Sequence, residues 1–390
     1  MARLPEKGIA AWPVGNGDAL TLRSPDGLTL QFDINHSKSD DNDWAPVVDL
    51  LAEELDTVTH NGDELPELPV LALSHHDEDH CRGITRLVSQ FRVNELIVTP
   101  RCFVEADELT DLGQELLEEV ERRRDLEIDA AAEGGRANAG GRLQIVGYAD
   151  VLETDGWEDF PDTLLTIPGN LIELLDNEDH SDSIEVFAHS PFRVETEDGG
   201  DRNDSCLAVH VTITSEETSD RYLLLGDLNY DTIEAIFEIS EDNDNAGRLE
   251  WDVLVAPHHC SRHAVRTSDG AGGFVDASAA EFLGEYAAEG AVVIVSSDGD
   301  YTGPTKTGKN PPHSDAKTVY EGIVTKPNVH DTHHEAKGSD SHPVAIEAGT
   351  GNAMPTPADR AARMAALATS AGAPLVTTPR HIEGGDKGFA

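Results

Sequence analysis

The chain reads as an α/β layered domain, on three observations. Short apolar strand-like runs recur along most of its length, amphipathic helical stretches separate them, and the residues able to do chemistry stand directly after the strands. In order, strands are expected at Ile9 to Val14, Ala19 to Arg23 and Leu28 to Ile34, a helix near Pro46 to Leu55, and a strand through Pro69-Val70-Leu71-Ala72-Leu73 ending in Ser74. A helix over Ile84 to Val88 and a strand from Glu95 to Thr99 follow. Leu109, Leu112, Leu116, Leu117 and Val120 recur at helical spacing within 105–126, which predicts an amphipathic helix ending in Arg122-Arg123-Arg124. That triplet either meets phosphate or pairs with Glu118, Glu119 and Glu121 one turn away. Strands are expected again at Ser183 to Ala188, Ser205 to Thr214, Tyr222 to Leu225, Val253 to Ala256 and Ala291 to Ser297. Helices at Tyr230 to Phe237, Ala279 to Tyr286 and Ser314 to Ile323 alternate with them. The reading is one elaborated domain over 1–347, with a helical and acidic insertion at about 103–200, and a partly ordered C-terminal extension over 348–390 carrying one short helix at 359–367.

No apolar run reaches the roughly 18 to 20 residues of a membrane span, and the first fifteen residues lack a basic segment followed by an apolar one, so a soluble cytoplasmic protein is expected. The four cysteines, Cys81, Cys102, Cys206 and Cys260, show no paired spacing and read as free thiols. The formal net charge is -47, spread along the whole chain, and arginine outnumbers lysine by more than two to one. Such a surface fits adaptation to molar salt; the competing reading is a protein that rejects nucleic acid in favour of small or cationic partners. At about 1 M salt the Debye length is about 3 Å, so global charge no longer repels a polyanion and the chemistry of the site decides.

The richest stretch is Ser74-His75-His76-Asp77-Glu78-Asp79-His80. A tight turn after a buried strand lets neighbouring side chains converge on one point, and two buried carboxylates beside histidines call for a cation. His76 and Glu78 fall between the candidate ligands and are assigned to the supporting loop. Further fragments stand at strand ends: Val14-Gly15-Asn16-Gly17-Asp18, Phe32-Asp33, Asn203-Asp204-Ser205, Leu225-Gly226-Asp227 and Pro257-His258-His259-Cys260-Ser261. A carboxylate-rich set shifts preference toward a harder ion, so Mn²⁺ stands beside Zn²⁺.

The spacing His-x-Asp-x-Asp-His resembles the His-x-His-x-Asp-His signature of the metallo-β-lactamase superfamily, with Asp77 in place of the second histidine. The order of all the fragments over roughly 9–320 resembles the hydrolase domain of the ComEC family and its soluble stand-alone relatives, without the transmembrane channel part. This resemblance implies a four-layer αββα metallo-β-lactamase sandwich and a centre of one or two ions, Zn²⁺ or Mn²⁺. By it, Asp227 bridges, His75 and Asp77 ligate a first ion, and Asp79, His80 and one of His258 or His259 ligate a second. His259 is favoured as the ligand, which leaves His258 to meet a phosphoryl oxygen or protonate a leaving group. Asn203 stands where many members carry another histidine, which leaves the first ion weakly held. Asp18 and Asp33 are expected to brace the ligand loops by hydrogen bonds. Ser205, Ser261 and His313 complete the supporting or substrate-binding set, His313 being either a substrate contact or a helix-start residue.

Two positions depart from the family pattern: Cys260 replaces a glycine, and Arg82 replaces the first of two glycines and is expected to add positive charge beside the site. Local positive charge favours phosphoesters over neutral lactams. His330, His333, His334 and His342 lie in a polar loop without a rigid scaffold and read as solvated. The function expected is a metal-dependent phosphodiesterase or nuclease that uses a metal-bound hydroxide, acting on nucleic acid or a nucleotide-like phosphoester. A small-molecule phosphoesterase and a non-catalytic metal-stabilised scaffold in a larger complex are the alternatives. If the acidic surface is a salt adaptation, the thermal midpoint rises as KCl goes from dilute buffer to molar concentration; full stability in dilute buffer overturns that reading.

Overall fold

The computed structural model describes residues 3–36, 44–60, 62–104, 109–191, 205–215, 218–267, 279–303, 310–335, 340–350 and 353–354. The predicted helix at 359–367 and the site candidate Asn203 lie outside the described residues. The first eight strands are β1 (Gly8–Ala11), β2 (Leu20–Arg23), β3 (Thr29–Phe32), β4 (Thr57–His60), β5 (Asp63–Ala72), β6 (Arg92–Val98), β7 (Arg142–Val146) and β8 (Leu165–Thr166). Six more, β9 (Ile184–Ser190), β10 (Ala208–Thr214), β11 (Ser219–Leu224), β12 (Trp251–Val255), β13 (Ala287–Val295) and β14 (Val329–Asp331), form a second sheet in the order β14-β13-β12-β11-β10-β9. The chain then returns to the first sheet with β15 (Val344–Glu347) and β16 (Ala353–Met354), giving the order β16-β15-β1-β2-β3-β5-β6-β7-β8, with β4 paired to β5.

Alternation along the strands explains the layering. In β11, Tyr222 and Leu224 face the first sheet while Leu223 and Leu225 face helices; in β12 and β13, Val253, Val255, Val292 and Ile294 face inward while Leu254, Val293 and Val295 face outward. The first sheet behaves alike, sending Leu20, Leu22, Leu30, Phe32, Val70 and Ala72 to the shared core and Leu68, Leu71 and Leu73 to the helices Val47–Glu54, Ile84–Gln90 and Asp111–Ala132. Both faces of both sheets are therefore buried, and the result is a four-layer αββα sandwich. The stretch expected as an insertion, 103–200, supplies part of this frame: β7 and β8 extend the first sheet, β9 edges the second, and the long helix packs on β7. β9 and the long helix match the strand expected at Ser183 to Ala188 and the helix expected within 105–126, whereas β7 and β8, short and close to glycines, are not among the expected strands.

The arginine triplet is consumed by structure. Arg123, buried, donates to the carbonyls of Val93 and Arg142 at 2.9 Å each and to Glu119, fixing the long helix to the sheet edge. Arg122 also pairs with Glu119, and Arg124 with Asp125 and Glu121. All four cysteines are free and buried. Among the described residues no helix is long and apolar enough to cross a membrane.

β3, β5 and β6 run parallel in one sheet and β11, β12, β13 and β14 in the other, so the loops leaving their carboxyl ends meet at one edge of the sandwich. Such an edge is where parallel sheets gather ligand-binding side chains.

Two buried histidines away from that edge tie β9 and β10 to the segment before β12: His189 Nε2–H donates to Arg248 O and His210 Nε2–H to Glu250 O, both at 3.0 Å. Burial lowers His189 to about 4 and His210 to about 3. Both stay neutral in the fold but protonate near 6.5 when unfolded, so their stabilisation is complete above about pH 6.5 and is lost as pH falls toward those values. Each contributes a slope of roughly 1.4 kcal/mol per pH unit in that window. Urea unfolding at several pH values should show that slope reduced in His189→Asn or His210→Asn; slopes equal to wild type would contradict it.

Candidate metal centre

The site is built around Asp33, the residue directly after β3, in a left-handed conformation, φ 56°. Its buried carboxylate accepts from Ser74 N–H and Ser74 Oγ–H, each at 2.6 Å, and from His80 Nδ1–H at 2.8 Å. Because the single hydroxyl proton of Ser74 goes to Asp33, His75 Nδ1–H donates to Ser74 Oγ at 2.8 Å. Both imidazoles are therefore fixed in one orientation with Nε2 turned toward the site, as ligand histidines require.

From the second sheet, Asp227 follows β11 and His258-His259 follow β12. Asn229, and not Asp227, caps the helix Tyr230–Asp242, so the Asp227 carboxylate is left for the site. The three residues His258, His259 and Cys260 take consecutive left-handed conformations, φ 50°, 52° and 66°. Such a run is unfavourable for non-glycine residues and persists only where neighbours over-determine it. Here His258 N–H donates to Gly226 O at 2.9 Å and His313 N–H to Cys260 O at 3.0 Å. His313 Nδ1 also accepts from Arg262 N–H at 3.2 Å, and the Ser261 hydroxyl caps the next turn through His263 N–H at 3.2 Å. The Cys260 thiol, raised by burial, lies 3.8 Å from His313 O and takes no place among the donors.

Four buried donors converge: Asp18, His80, Asp227 and His259 each offer one ligand atom within 4.8 Å of the others. His80 Nε2 and His259 Nε2 are 3.2 Å apart and stand 3.2 and 3.4 Å from the same Asp227 oxygen. An ion about 2.0 to 2.1 Å from each donor in tetrahedral array puts donors about 3.3 to 3.4 Å apart, so these three atoms have the spacing of a coordination edge. Asp79, more than a third exposed, approaches from the open side with Oδ2 3.4 Å from His259 Nε2. Asp18 approaches from behind, 3.9 Å from His259 Nδ1 and 4.0 Å from His80 Nδ1. Gly17 permits this: a Cβ there would meet Asp79 O at 2.5 Å and collide with the Asn35 amide.

The electrostatics ask for a cation. Burial would raise Asp227 and lower His80 and His259, yet the mutual charges win. His259 rises to about 9, His80 lies well above its usual value and Asp227 well below. Burial would raise Asp79 too, but the His259 hydrogen bond and the charges of His80 and His259 hold it below the usual range. Asp18 is raised by burial to about 6. Asp18 Oδ1 and His259 Nδ1 have no hydrogen-bond partner, a costly state for buried groups that metal coordination and its outer contacts relieve. His258 is lowered by burial and sits with Nε2 3.6 Å from the other Asp227 oxygen.

The remaining expected residues are placed as follows. His75 is wholly buried, 3.8 Å from Asp77, and outside the converging group. Ser205 is half-buried at the start of the segment leading to β10. Arg82 is turned to Glu78 and Asn35, at 3.3 Å each, and not to the donors. The cation at the site is instead the buried Arg101, 3.5 Å from Asp77, which nothing in the sequence marked. A second group, Asp331, His333 and His334, has its carboxylate engaged by Lys317 and Tyr301, and His334 is exposed.

No family profile and no curated protein matches the chain. Among solved structures it is similar to subclass B3 metallo-β-lactamases. One, from a soil metagenome library, is 10% identical over 66% of this chain and 77% of that one, with a TM-score of 0.33. One of Bradyrhizobium japonicum is 12% identical over 65% and 75%, TM-score 0.30. One from Legionella gormanii is 10% identical over 62% and 74%, TM-score 0.30. The likeness is distant, and the site stands on its own geometry.

Because the carboxylates around His80 and His259 hold both above the usual histidine range, loading a divalent ion on their facing nitrogens should expel at least one proton, and affinity should rise with pH up to about 9, where His259 titrates. Calorimetry in buffers of different ionisation enthalpy measures the count; a value near zero contradicts the pairing.

Proposed function

We propose that the protein is a metal-dependent hydrolase, cytoplasmic and of the ComEC-like type, that cleaves phosphodiesters in nucleic acid or a nucleotide-like substrate. The observation that supports it is the convergence of His80, His259 and Asp227 at 3.2 to 3.4 Å, with Asp79 at the open side. His80, Asp227, His259 and Asp79 would hold the ion, Zn²⁺ or Mn²⁺, with Asp18 facing the outer nitrogens of both imidazoles. When bound, a divalent ion there supplies Lewis acidity and lowers the pKa of water toward neutrality.

The chain's own residues do the rest. Asp33, through Ser74 and His80, fixes the orientation of the imidazoles, so no reorganisation is needed at the moment of reaction. His258, neutral at pH 7 because burial lowers it, is partly exposed and presents a ring nitrogen to a phosphoryl oxygen. A neutral imidazole suits a hydrogen bond to that oxygen better than delivery of a full proton to the leaving group. Arg101 adds a permanent positive charge on the same side as Asp77, and a charged oxygen gains more from it than a neutral lactam carbonyl does. The carboxylate-rich donor set supports a harder ion than an all-histidine set would take.

The test is hydrolysis of end-labelled single-stranded DNA and of bis(p-nitrophenyl) phosphate with Mn²⁺ or Zn²⁺ in high KCl. Asp227→Ala and Asp79→Ala should each lower kcat by about 10³-fold or more while circular dichroism stays native. Cleavage of the small ester alone would direct the assignment to a small phosphoester. A folded, metal-loaded protein that cleaves neither, or Asp227→Ala with undiminished activity, overturns the proposal.

A further inference from the structure

The converging donors lie on one side of the centre; the other side, where His75 and Asp77 are, is arranged differently. His75 Nε2 is buried and has no hydrogen-bond partner, and it faces Asp77 Oδ2 at 3.8 Å. The other Asp77 oxygen, Oδ1, faces Arg101 Nη2 at 3.5 Å. Arg101 comes from the turn after β6, the parallel neighbour of β5, so topology sets it beside the His75–His80 loop. Its side chain is 2% exposed, and its single ion pair among the described residues is with Asp77. The guanidinium also lies 4.0 Å from Cys206 Sγ, a thiol kept neutral by burial, which offers no balancing charge.

A guanidinium cannot lose its proton in a protein, so this position carries a fixed positive charge. The resemblance would place a first ion between His75 and Asp77. A divalent ion there would sit against that buried charge and compete for the carboxylate that already balances it. His75 alone, neutral and buried, gives no charge to offset this. The second side is the better supplied: Asp227, Asp79 and Asp18 stand around two imidazoles with no cationic side chain among the described ion pairs of those carboxylates other than histidine, whereas at His75 the charges of Asp227 and Asp79 are felt against that of Arg101.

We infer that Arg101 takes the place of the first metal ion: the protein binds one divalent ion, on the His80–Asp227–His259 side, and the Arg101–Asp77 pair is the fixed charge opposite it. This rests on the metal-dependent reading above and deepens it. Arg101 then supplies from inside the fold, without touching the substrate, the fixed positive charge that a second ion would otherwise bring to that side, and Asp77, the more exposed member of the pair, holds the guanidinium in place of serving as a ligand.

The experiment counts metal on the full-length protein, stripped and reloaded with Zn²⁺ or with Mn²⁺, by elemental analysis and calorimetric titration. Wild type should bind one equivalent. Asp77→Asn should still bind one, with affinity within about threefold, since an outer residue alters the ion less than a ligand does. Arg101→Met should take up a second, weaker equivalent, and His75→Ala added to it should remove that second one. Two equivalents in wild type, or loss of an equivalent in Asp77→Asn, overturns the inference. So does an Arg101→Met variant that is natively folded yet stays at one. If Arg101→Met does not fold, the wild-type and Asp77→Asn counts decide. No bound metal in wild type would instead remove the metal centre itself, a failure of the underlying reading and distinguishable from the others.

Discussion

Everything at the sheet edge depends on one buried carboxylate. Asp33 directly follows one strand, holds the second residue after a neighbouring strand by two hydrogen bonds, and orients His80 by a third. Its left-handed backbone aims the carboxylate across the sheet instead of along it. Removing those acceptors would leave Ser74 and His80 with buried, unpaired donors, the most expensive kind of loss in a polar core. The strain in the His258–Cys260 turn is the counterpart on the other sheet, over-determined by backbone bonds to Gly226 and His313. Two rigid loops from two sheets thus face each other, and the metal donors are what lies between them.

The charge arrangement follows from this rigidity. Carboxylates that cannot move away from one another, in a place with little water, must be balanced by protons on histidine, by arginine or by an ion. On one side the imidazoles carry that charge; on the other, Arg101 carries it permanently. The acidic exterior has no part in this local balance, which is set at distances of 3 to 4 Å.

Much of this was legible in the sequence, because strand-end motifs are local. Ser74 to His80, Gly226-Asp227 and His258-His259 each announce themselves by an apolar run followed by donors, and the alternating strands that set the four layers are local too. What escaped is what only topology decides. Arg101 follows Thr99-Pro100 with no local feature to set it apart from a surface arginine, and only the parallel pairing of β6 with β5 sets it against Asp77. Asp18 sits in a glycine-rich turn whose sequence does not tell that it folds back on Asp79 and closes the donor group. Arg82 looked like the local cation because it adjoins His80 in sequence, but its position one helical turn from Glu78 gave it a nearer partner. β15 and β7 are short and lie beside glycine-rich or polar segments, so neither shows a period long enough to read.

The return of β15 to pair with β1 gives the chain a particular order of assembly. Glu6 and Glu347, 341 residues apart, are joined by a hydrogen bond, and Asn16 bonds to Pro311 across 295 residues. During synthesis the first ligand loop emerges long before its partners from the second sheet exist, and β15, which flanks β1, comes after the whole of the second sheet. Contacts of such separation slow folding and leave sheet edges open meanwhile. On a ribosome, then, the nascent chain would carry His75, Asp79 and His80 without Asp227 or His259 for much of its synthesis, and an ion captured early would meet only half of its final coordination.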